Sequence, residues 1–185
     1  MKISWVLADD AVLDPGQEIA QLKLIGSTWG SWRTWRAYGT DNVICHDVKK
    51  ASELLKRAFQ AVCNFYLPNE HYALLDRPMG VQLYQGAFVH DVVRQEEIVA
   101  LHLAVSQSDI VLLLGFDCSE SDPKTDRLEA HQEQHYQGLF RQVILDNPEK
   151  QWVLIDHDAD IREGLQDLPN LTKDVMSNAL TLLSS

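Results

Sequence analysis

A histidine beside an aspartate recurs at three points in this chain, at His46-Asp47, His90-Asp91 and Asp156-His157-Asp158. Each stands where a short apolar run gives way to a helical pattern. Imidazole and carboxylate at such junctions can ligate a metal or exchange protons with a ligand. They can also be ordinary punctuation. An aspartate before a helix accepts a bond from orphan N–H groups and complements the helix dipole, for about 1 kcal/mol. Asp47 and Asp91 fit that capping role. A metal centre built from His46, His90 and His157 requires three loops to converge within about 2.1 Å of one ion. Spacing alone does not show that, so no metal is assigned. Asp117 has less structural excuse: it lies in a loop after Gly115, well before the next helical pattern. A ligand or substrate role is expected there.

Two further stretches carry chemistry. His131 and His135, in HQEQH, fall on one helix face. Such a pair can chelate zinc. Glutamate occupies the third position and not the second, so the zinc-protease pattern is not met, and a solvated polar face is the simpler reading. In GSTWGSWRTWRAYG, residues 26–39, Trp29, Trp32 and Trp35 recur every third residue among Arg33, Arg36 and Tyr38. On a helix they form one aromatic stripe. It can pack in the core, make a subunit interface, or stack on a sugar or base while arginine meets a phosphate. No G-x-S-x-G elbow occurs. Cys45 precedes His46, but neighbours on a strand point to opposite sides, which makes Cys45 a core residue.

The elements that must position these groups follow from hydrophobic pattern. Short apolar runs at 3–8, 42–45, 81–85, 109–116 and 151–156 read as strands. The unbroken run Ile110 to Leu114 suits a strand buried on both faces. Three-four spacing predicts helices over 48–64, 92–106, 125–146 and 172–183. Residues 17–38 read as helical in one or two pieces, interrupted at Gly26 and Gly30. Residues 64–80 and 117–125 read as loops. Alternating strands and helices predict a single three-layer α/β/α Rossmann-like domain, with about five mostly parallel strands. Ligands of such sheets bind beyond the carboxyl ends of the strands. Asp9, Asp10, His46 and Asp117 should share that rim.

Composition narrows the function. The chain has 185 residues, enough for one domain that needs no disulfide or metal staple. Sixteen basic and 27 acidic residues leave a net charge of −11, which argues against nucleic acid as a partner. Three widely spaced cysteines make neither a disulfide framework nor a zinc knuckle, and reduced thiols suit a cytoplasmic setting. No run reaches the roughly 20 apolar residues of a membrane span, and the N-terminus lacks a signal-peptide pattern.

IVLLLGFDCSESD, residues 110–122, followed by His131, Tyr136 and Phe140, resembles a stretch of one Rossmann-like group. That group includes the family 42 sialyltransferases and the archaeal MptE-like pterin pyrophosphokinases. The resemblance covers about residues 81–160. It implies handling of a nucleotide or nucleotide-sugar, with Asp117 and His131 at the matching positions. The group's glycine-rich phosphate loop is replaced here by VLADDAVLDPG, so an inactive relative is included in what the resemblance implies. The expected function is therefore nucleotide or nucleotide-sugar binding. Asp9, Asp10, His46, Asp117 and His131 would line the cleft, Arg33 and Arg36 would contact phosphate, and Asp117 or His131 would serve as acid or base in any transfer. A homo-oligomeric assembly module using the tryptophan stripe and a metal-dependent hydrolase are the alternatives. No cofactor follows from the residues.

Overall fold

The computed structural model describes residues 1–9, 11, 13, 18–85, 95–116, 127–155, 168–174 and 176. Its organising element is the apolar run identified from the sequence. The strand Ile110–Leu114 is buried at every position, because helices cover both of its faces. It pairs in parallel with β1 (Ile3–Leu7), whose side chains alternate between two cores. Val6 and Ala8 face one core with Ile98, Leu101, Tyr136 and Phe140, which lie on helices Gln95–Val105 and Arg127–Leu145. Trp5 and Leu7 face the other, with Ile19 and Leu22 of helix Glu18–Ile25. Farther along that second face, Ala51 of helix Val48–Leu55 packs with Val43, Phe65 and Leu67. The result is a parallel sheet between helical layers.

The described residues form eight strands, more than the five expected. In chain order they are β1, β2 (Ser27–Ser31), β3 (Asn42–Ile44), β4 (Asn64–Pro68), β5 (Val81–Tyr84), β6 (Ile110–Leu114), β7 (Gln151–Ile155) and β8 (Leu171–Asp174). The helices are α1 (Glu18–Ile25), α2 (Trp32–Tyr38), α3 (Val48–Leu55), α4 (Asn69–Leu74), α5 (Gln95–Val105) and α6 (Arg127–Leu145). Spatial order is β5-β4-β3-β2-β1-β6-β7-β8, with every pairing parallel.

Of the three additional strands, β2 and β8 lack an apolar run, whereas β4 carries Phe65-Tyr66-Leu67 inside the segment read as a loop. β2, Ser-Thr-Trp-Gly-Ser, corrects the helical reading of 17–38. Its polar side chains are satisfied laterally: Thr28 Oγ1 donates to Asp41 at 2.8 Å, and Trp29 Nε1 donates to Ser4 Oγ at 3.1 Å and Ser27 Oγ at 3.0 Å. Gly26 and Gly30 bound or lie within this strand. A Cβ at Gly26 would stand 2.4 Å from the Ile3 carbonyl oxygen, so close strand approach requires glycine there. β4 and α4 occupy the proline-bearing segment read as a loop. β8 replaces the start of the expected C-terminal helix, and most residues after it lie outside the described set. The helix expected over 48–64 ends at Leu55, followed by a 3-10 turn at Phe59–Ala61. The tryptophan run is likewise divided: Trp29 is fully buried, and Trp35 packs edge-on against Phe59 at 4.3 Å.

Strand order reverses between β1 and β6, the usual place for a ligand crevice. Among the described residues, the backbone after β1 packs closely on the end of β6 there. Gly115, with φ +73, lies so close to Ala11 that an added Cβ would sit 2.4 Å from the Ala11 Cα. Among the described residues a cleft opens to one side, over β1, β2 and β3. α5 crosses those strands on its return from β5 to β6. No helix among the described residues is long and apolar enough to cross a membrane.

Candidate functional site

The first turn of α5 meets the carboxyl ends of β1 and β3 through two glutamates. Glu97 is 1% exposed. It accepts the Asp9 backbone N–H at 2.8 Å and the Tyr136 hydroxyl at 2.7 Å. Its neighbour Glu96 accepts the His46 backbone N–H at 2.8 Å. The helix N-terminus favours negative charge at both positions. Together the glutamates tie the turns after β1 and β3 to one helix.

Asp9 is held from a third direction. Ser31, the N-cap of α2, accepts from Arg33 N and Thr34 N and donates its hydroxyl to Asp9 Oδ1. Thr34 Oγ1 adds a 3.2 Å bond to the same oxygen, while Arg33 pairs with Oδ2 at 2.9 Å. The Arg33 guanidinium is more firmly protonated through this bond. On the far side, His46 Nδ1 lies 3.1 Å from the hydroxyl of buried Tyr84, and its ring meets His71 edge-on at 5.1 Å.

These groups surround a cleft of about 300 Å³, lined by Asp9, Trp32, Arg33, His46, Asp47, Gln95, Glu96 and Glu97. That volume is at the small end for ligand sites. Two cations flank Trp32, with Lys50 Nζ at 4.5 Å and the Arg33 guanidinium carbon at 5.4 Å from the ring centre. Burial pushes the Glu96 carboxyl up to about 7, aided by the negative charges of Asp9 and Asp47 and opposed by the His46 N–H and by Arg33. A carboxylic acid of that kind exchanges protons at neutral pH. Burial also raises the Tyr84 hydroxyl far above its ordinary range and lowers the His71 imidazole, so both are neutral.

Of the residues expected at the rim, the structure brings Asp9, His46 and Arg33 together. Asp47 is also present, and caps α3 by accepting Lys50 N at 2.9 Å, as read from the sequence. Asp47→Ala is expected to lower stability by about 1 kcal/mol, seen as a lower denaturant midpoint at unchanged slope. His131 lies exposed on α6 and Arg36 exposed on α2, and neither lines the cleft. Asp10, His90, Asp91, Asp117, Cys118, His157 and the aspartates beside it lie outside the described residues. Among the described residues no three His, Cys, Asp or Glu side chains are placed to hold a metal ion.

Glu96 and Glu97 went unassigned in the sequence reading. A signal existed: Glu97 falls on the buried face that includes Leu101 and Ala104, where a glutamate belongs only if it is bonded. Nothing local marked Glu96, whose character comes from neighbours 50 and 87 residues away in sequence, His46 and Asp9. No protein-family model, curated protein or solved structure gives a significant match to this chain.

Proposed function

We propose that the chain binds a nucleotide or nucleotide-sugar in the cleft over β1, β2 and β3. The observation that carries this reading is the division of charge across the opening. Arg33 and Lys50 flank the half-buried Trp32, while the carboxylates of Asp9, Glu96 and Glu97 lie less exposed. A phosphate suits the first group, and sugar hydroxyls donating to carboxylates suit the second. The Arg33–Asp9 pair does not block this. Arg33 is 64% exposed, and such a pair contributes under about 1 kcal/mol, so a phosphate can take the guanidinium in a bidentate bond. Binding, and not a named reaction, is what these contacts support. Cytidine 5′-monophosphate, UDP-glucose, ATP and GTP form the test panel. At least one should raise the melting temperature, because a ligand specific for the native state stabilises it. Arg33→Ala should weaken that ligand roughly tenfold, the loss of one charge-assisted bond. No shift with any of the four removes the reading.

A further inference from the structure

Asp9, Asp47, Glu96 and Glu97 bring four carboxyl groups to the cleft lining against the one guanidinium of Arg33, so removal of a negative charge favours a phosphate-bearing ligand. Glu96 is placed to lose its charge. One of its carboxylate oxygens, Oε1, is engaged by the His46 N–H, and among the described residues no donor lies within hydrogen-bond distance of Oε2. The side chain lines the cleft.

We propose that Glu96 takes up a proton as the nucleotide binds and donates it, from Oε2, to an acceptor atom of the ligand. The inference rests on the nucleotide reading above and adds to it a proton-coupled contact. Each element around Glu96 bears on its charge. From the end of β1, Asp9 opposes ionisation, as does Asp47 before α3. From α2, Arg33 favours ionisation, but a phosphate that engages Arg33 cancels that support. Cys45, just after β3, and Tyr84 on β5 both feel the Glu96 charge, and their protons are held firmly by burial. Glu97, next in α5, keeps its own two bonds to Asp9 N and Tyr136. The ligand's negative charge therefore adds to the influences that already favour the neutral form of Glu96, which sits at about 7 before binding. Protonation of Oε2 converts an acceptor into the donor that a carbonyl, ring nitrogen or phosphate oxygen requires.

Titration calorimetry with the same four nucleotides at pH 8, in buffers of different ionisation enthalpy, reads the proton directly. Uptake of nearly one proton per bound nucleotide is expected, with affinity falling about tenfold per pH unit above 7. Glu96→Gln, whose amide mimics the protonated acid, should bind at pH 8 about as tightly as the parent chain at pH 6, with no uptake. Glu96→Ala should bind weakly at both. Carboxyl NMR of the chain without nucleotide should show Glu96 titrating near neutrality. Binding without uptake, or uptake that persists in Glu96→Gln, overturns the inference and leaves the nucleotide reading standing. A Glu96 midpoint in the ordinary carboxylate range also overturns it. Absence of binding by all four nucleotides removes both.

Discussion

Glu97→Ala is expected to destabilise the chain by about 3 kcal/mol, the cost of leaving two buried donors without an acceptor. Glu97 is almost fully buried and receives two donors from distant parts of the chain, Asp9 N and the Tyr136 hydroxyl. Alanine leaves both donors unsatisfied and opens a cavity between α5, α6 and the end of β1. Each effect is costly, because the donors lost water on folding and find no substitute. For a domain of this size the melting temperature should fall by roughly 6–12 °C. Glu97→Gln tests the cause. Its amide still accepts from Asp9 N, and the Tyr136 hydroxyl can turn to accept from the amide, so a loss nearer 1 kcal/mol is expected. Equal losses for the two variants would show that the carboxylate itself, and not the volume of the side chain, carries the stabilisation. An unchanged melting temperature in Glu97→Ala would falsify the assignment of Glu97 as the tie between layers.

Glu96→Gln should act in the opposite direction, stabilising the chain at pH 8 by about 2 kcal/mol. The sign follows from linkage. Burial raises the folded-state value from 4.5 to about 7. Between those values the folded chain binds more protons than the unfolded one. The stability contributed by the protonated group is full below about 4.5 and is lost as pH rises through 7. A displacement of that size corresponds to roughly 3 kcal/mol, reduced here because one side of the carboxyl faces cleft water. Glutamine keeps an acceptor for His46 N and carries no charge. Denaturant unfolding from pH 5 to pH 8 should show the parent losing stability across that interval and Glu96→Gln losing much less. Parallel curves for the two proteins would refute the neutral-range titration of Glu96. The two glutamates are adjacent in sequence, yet they differ in sign. Alanine at Glu97 strands the Asp9 N–H and the Tyr136 hydroxyl, whereas glutamine at Glu96 keeps the acceptor for His46 N and removes a charge that Asp9 and Asp47 oppose.

Part of the site was legible from residue type. Asp9 and His46 were expected at the rim because a polar group just after a parallel strand emerges on the sheet's carboxyl edge. Arg33 was expected near phosphate on the strength of its tryptophan neighbours. The route to that expectation differed from the structure, because Trp29 belongs to a strand and Trp32 begins a helix. Arg36 was grouped with Arg33, but one further turn of α2 carries it away from the opening. The glutamates of α5 were missed because a helix read alone shows only that they lie in its first turn. The strands to which they bond are far off in sequence.

Hydrophobic pattern by itself determined the class of fold, the doubly buried β6 and the parallel direction of the strands. Burial on both faces demands continuous apolar residues, and parallel strands demand intervening helices. Only the tertiary structure decided that eight strands pair and not five, since β2 and β8 lack apolar runs of their own and the short run of β4 stands in a proline-bearing segment. It also decided what lines the cleft over β1, β2 and β3, because the return path of α5 brings Glu96 beside His46. Such long-range contacts set the desolvation and local field of each carboxylate, and these quantities depend on what surrounds a residue in space, which its position along the chain does not record.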